Sequence, residues 1–95
     1  MYLLTYHVQP NPHNPEHEEI GGAYVNCYIE ADTFEEADFI AKGDLEKNQW
    51  RILELDDARI VSREDYADED EDLEFYQQAL IDKEVFVFHM YPIEE

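Results

Sequence analysis

The segment VFVFHMY, residues 85–91, constrains the fold more than any other stretch of the chain. Its alternation sets Phe86, Phe88 and Met90 on one side and Val85, Val87 and Tyr91 on the other, so an extended strand here is apolar on both faces. A sheet that contains it needs cover twice.

Other segments supply the rest of such a sheet. In YLLTYHV, residues 2–8, Tyr2, Leu4, Tyr6 and Val8 alternate with Leu3, Thr5 and His7, which predicts a strand. In AYVNCYIEA, residues 23–31, Ala23, Val25, Cys27 and Ile29 share one face and Tyr24, Asn26, Tyr28 and Glu30 the other. Between the two, residues 10–22 (PNPHNPEHEEIGG) hold three prolines and two glycines and read as a long loop. WRILEL (50–55) and ARIVS (58–62) are expected to form a hairpin across Asp56–Asp57, with one bent strand as the alternative.

Two helices complete the pattern. The first starts at Asp32 or Thr33, where Thr33 and Glu36 have capping-box spacing, and carries Phe34, Ala37, Ala41 and Leu45 as a stripe beside Ile40. The second carries Leu73, Tyr76, Ala79 and Leu80. The expected fold is α+β: a small antiparallel sheet with two helices on one face. It has a ferredoxin-like βαββαβ core from residue 23 preceded by an extra N-terminal strand, in one domain spanning residues 1–95.

With both helices on one face, the other face of the last strand stays open. A homodimer through the sheet, a bound partner, or the Pro-rich loop or extra strand folded over it would supply the cover, with Tyr24, Tyr28, Phe86 and Phe88 as the expected interface residues.

Charge narrows the partner. Twenty-five acids against six bases give a net charge of −19, well beyond the magnitude of about 2 to 8 that keeps a small domain soluble. Such a surface repels nucleic acid and anionic membrane and attracts basic proteins. Yet 44% hydrophobic and 14% aromatic residues predict a folded chain rather than a disordered one. A single cysteine, the lack of a basic leader and the absence of a long apolar run suggest the cytoplasm.

Eight of the acids lie between Glu64 and Glu74. An EF-hand reading of Asp68, Asp70 and Asp72 fails, because Leu73 stands where the turn needs glycine and Ala79 where a bidentate Glu is needed. A helix start fits better, with Asp68 as N-cap and Glu71 three residues on. Capping needs only two or three acids, so the surplus points to partner binding through Asp65, Asp68, Glu69, Asp70, Glu71 and Asp72.

Catalytic and metal motifs are weak by comparison. His13, His17 and Cys27 offer zinc-ligand types that His7 and His89 could complete, but Pro12 and Pro15 remove the helical geometry that would align His13 with His17, so no metal is expected. Ser62 has no nucleophile-elbow setting, Cys27 sits among core alternates, and Gly21, Gly22 and Gly43 form no phosphate loop. The sequence implies no cofactor and no enzyme. The expected function is a small acidic binding module that neutralises a basic, nucleic-acid-binding protein, as inhibitors, immunity proteins and DNA mimics do. The alternative is a homo-oligomeric accessory domain whose acids serve solubility alone.

Overall fold

Alternation and helical stripes translate directly into elements in the computed structural model, which describes residues 1–93. Strands β1 (Tyr2–Pro10) and β2 (Ile20–Ile29) are followed by helix α1 (Phe34–Lys47) and strand β3 (Trp50–Ile60). A short 3₁₀ turn (Arg63–Asp65), helix α2 (Asp72–Asp82) and strand β4 (Glu84–Pro92) complete the chain. The architecture is α+β, with one four-stranded antiparallel sheet in the order β3-β1-β2-β4. No helix among the described residues is long and apolar enough to cross a membrane.

The element order is therefore ββαβαβ, one strand fewer than the expected extra strand plus βαββαβ core. The difference lies at residues 50–62. The expected hairpin is instead one strand, Trp50–Ile60, paired with β1 from Tyr2↔Ile60 to Pro10↔Trp50. Register shifts between Thr5 and Tyr6 and between His7 and Val8 leave Asp56 and Leu53 as the extra residues on β3. Asp56–Asp57 lacks the glycine or asparagine that a tight hairpin turn favours, and the chain bulges there rather than reversing.

The second difference is the placement of the helices, which lie on opposite faces of the sheet. Leu4, Tyr6, Val8, Ala23, Val25, Cys27 and Ile29 pack with Ala37, Ala41 and Leu45 of α1, and Phe86 and Phe88 join that core. Leu3, of opposite parity to Leu4, packs instead with Met1, Val61, Tyr66 and the α2 residues Leu73 and Tyr76. Tyr28, of opposite parity to Cys27, meets Phe75 of α2 with ring centroids 6.0 Å apart. The last strand, apolar on both faces, thus has a helix on each side and is half-buried from Val85 to Phe88, while Met90 stays exposed.

Local chemistry fixes each helix. Thr33 caps α1, its Oγ1 accepting from the Glu36 N–H at 3.1 Å. Lys83 ends α2 in the left-handed region, with φ 76° and its N–H donating to the Ala79 carbonyl. Residues 11–19 are tied to the end of α1: the Asn11 N–H and the Asn14 Nδ2 both donate to the Gln49 carbonyl, and Asn14 is buried. The loop thus reaches the α1 side, where Asn14, Pro15 and Glu16 border a groove with Trp50, Phe86, Phe88 and Met90.

Candidate functional site

The middle of the acidic run, Tyr66 to Glu71, folds as a connection, and only Asp72 and Glu74 lie in the first turn of α2. Asp68 is not the N-cap of α2, which begins at Asp72, four residues later. Several of its carboxylates have local work: Asp65 accepts from the Ser62 N–H at 2.7 Å, Asp70 accepts from the Ala67 N–H at 2.9 Å, and Asp68 is ion-paired to Arg63. Asp72 lies beside buried phenols; desolvation first, and then its negative charge, push the Tyr28 hydroxyl's pKa up.

Glu69, Glu71 and Glu74 remain. They share with Arg63, Asp68 and Asp70 the rim of an open concavity of about 710 Å³, which Leu73, Phe75 and Gln77 also line. The ion pairs joining described residues, Lys42–Asp38, Arg59–Asp57 and Arg63–Asp68, include none of these three glutamates. The concavity is thus an acidic depression with an apolar side chain, Phe75, that continues to Tyr28 on the sheet.

The four expected interface residues do not form one surface. Tyr24 and Tyr28 point to the α2 side of the sheet, whereas Phe86 and Phe88 pack toward α1. Tyr28 is buried and Tyr24 is 41% exposed. His13 and His17 are exposed in the loop while Cys27 is buried in the core. Among the described residues no group of three or more His, Cys, Asp or Glu is placed to hold a metal ion.

No protein-family model, curated protein or solved structure matches the chain.

A second cluster appears on the same face as α2. The registers place residues in three rows across β3, β1, β2 and β4: Arg59, Leu3, Tyr28 and Val85; Asp57, Thr5, Asn26 and Val87; Glu54, His7, Tyr24 and His89; beyond them Arg51 faces Gln9 and Gly22 faces Tyr91. α2 packs on the first row through Leu3 and Tyr28. In the third row His7 stacks on Tyr24, with centroids 4.5 Å apart and planes 11° apart. The Tyr91 hydroxyl lies 2.6 Å from His7 Nε2 and its ring 6.2 Å from that of Tyr24. Beside them Thr5 Oγ1 donates to Asn26 Oδ1 at 2.8 Å.

Tyr91 reaches His7 by crossing over β2 at Gly22, where a Cβ would stand 2.2 Å from the phenol oxygen. Sequence reading named His7 only as a residue that could complete a zinc set, and did not single out Tyr91 or Gly22 as a site. The available signal was parity, since His7, Tyr24 and Tyr91 all fall on alternates opposite the core alternates. The register that brings them together is a tertiary property.

Proposed function

We propose that this protein is a small acidic binding module that neutralises a basic, nucleic-acid-binding protein, in the manner of an inhibitor, immunity protein or DNA mimic. The observation that carries the reading is the open concavity edged by Asp68, Glu69, Asp70, Glu71 and Glu74. Its carboxylates stand in for phosphates toward lysine and arginine side chains, while Phe75 offers apolar contact within the same depression. A net charge of −19 gives fast, salt-sensitive association with such a partner and disfavours nucleic acid itself. The role asked of these residues is recognition, not catalysis.

Local use of Asp65, Asp68 and Asp70 shifts the expected contribution toward Glu69, Glu71 and Glu74. The test is affinity capture from the native host lysate at low and high salt, using the native chain and a Glu69→Gln, Glu71→Gln, Glu74→Gln triple variant. A basic nucleic-acid-binding protein should be retained at low salt and released at high salt, with retention by the variant weaker by about tenfold or more. Undiminished capture by the variant would refute the assignment.

A second reading, the homo-oligomer, draws on apolar residues left exposed. Phe39 on α1 is 80% exposed and Ile60 on β3 is 71% exposed. Against it stands the repulsion between two copies that each carry −19. Light scattering over a dilution series separates the readings, because only the second requires a dimer that persists.

A further inference from the structure

We propose that the cluster of His7, Tyr24 and Tyr91 is the anchor site for an arginine side chain of the basic partner, an inference that rests on the binding-module reading above. The cluster is pre-arranged. Three rings from three strands hold one another through the His7–Tyr24 stack and the 2.6 Å contact between Tyr91 and His7 Nε2, so little side-chain freedom remains to be lost on binding. It is also reachable: Tyr24 is 41% exposed, while α2 packs two rows away on Leu3 and Tyr28.

Charge selects the occupant. Glu54 lies across from His7 on β3 and is exposed, which places a carboxylate next to the ring stack. Of the chain's own cations on this face, Arg59 is held by Asp57 at 2.6 Å and Arg51 stands one row away, opposite Gln9. An incoming cation therefore meets aromatic rings and a carboxylate within a strongly acidic molecule. A guanidinium suits this pairing better than an ammonium, because it stacks flat on a tyrosine ring while its edge donates to phenol and carboxylate oxygens.

The site is also within reach of the acidic concavity. Tyr24 and Tyr28 lie four residues apart on β2, about 13 Å at the usual strand rise, and Tyr28 contacts Phe75 at the concavity's edge. One extended basic segment spans both, its general charge on the glutamates and one arginine on the rings.

The test uses the full chain and two synthetic peptides of equal length and charge, one arginine-rich and one lysine-rich, titrated by calorimetry. The expected result is an arginine preference of about fivefold or more, with movement of the Tyr24 and His7 ring proton resonances. Tyr24→Ala should abolish the preference and Tyr24→Phe should keep it, with circular dichroism confirming that both variants fold; His7→Ala serves as a second loss variant. Equal affinity for the two peptides, or a preference that survives both Tyr24→Ala and His7→Ala, overturns the anchor site and leaves the binding module standing. Binding of neither peptide overturns both. A single-stranded oligonucleotide that binds in their place, or a dimer formed through Tyr24, overturns the arginine assignment.

Discussion

At Gly22 an ideal Cβ would also stand 2.8 Å from the Val8 carbonyl oxygen, a backbone atom of the neighbouring strand. The Tyr91 ring could swing away from an added methyl group, but the β1 backbone could not without disturbing the ladder. Gly22→Ala should therefore destabilise the fold by about 1–3 kcal/mol and release Tyr91 from His7. Urea denaturation checks the first effect and the Tyr91 ring resonances the second; an unchanged midpoint would mean that the sheet accommodates the methyl group. The Gly21–Gly22 pair read in sequence as the end of a loop, yet both residues lie within β2. What the sequence did reveal at this scale was alternation, which correctly separated Cys27 and Val25 from Tyr24 and Asn26. It could not supply the crossing of Tyr91 over β2, because that depends on which residues of β4 and β2 are partners.

Among the elements, the first helix was the most legible: Thr33 caps it and Ala37, Ala41 and Leu45 are buried as their spacing implied, whereas Phe34 of the expected stripe is exposed and the capping box keeps only its Thr33 half. The second helix buries Leu73, Tyr76 and Ala79 of its expected stripe but leaves Leu80 exposed, and it starts later, because Asp65, Asp68 and Asp70 satisfy turns and an ion pair ahead of it. At β3 the hairpin reading gives way to its alternative, one bent strand, with Asp56 at a bulge where the two acids resembled a turn. A tie between elements yields a pH dependence. Desolvation first, then a hydrogen bond to Asp44 on α1 and that residue's charge, raise the Glu84 carboxyl at the start of β4 to about 7. A carboxyl with a raised folded-state pKa binds its proton more tightly in the native state. Its stabilising contribution is therefore full below the unfolded value and lost as the pH rises through 7. Allowing for solvent screening at a partly exposed site, the loss between pH 5 and 8 should be on the order of 1 kcal/mol. Glu84→Gln keeps a donor for Asp44 at every pH. Chemical denaturation at the two pH values should show this decrement in the native chain and not in the variant; equal pH slopes would dismiss the tie.

For the molecule as a whole, cover on both faces of the sheet explains how a 95-residue chain with a net charge of −19 builds a core. Acids occupy the connections, the outer surfaces of both helices and the edge strand β3, while the two sheet faces divide the apolar residues between them. Fold class was legible because it depends on periodicity; the sides taken by the helices were not, because nothing local in a stripe names the face it will meet. Cys27 lies in the larger core, fully buried on β2 between Leu4 of β1 and Phe86 of β4. Desolvation, followed by the charges of Asp44 and Glu84, pushes its thiol pKa up, so the native state withholds both access and thiolate from reagents. Labelling by a disulfide reagent at neutral pH should then proceed only through global opening, with a rate that rises with urea along the unfolding curve. Rapid labelling independent of urea would contradict this. The chain's sole sulfhydryl thereby serves as an internal clock, recording each excursion of an intact molecule to its unfolded state.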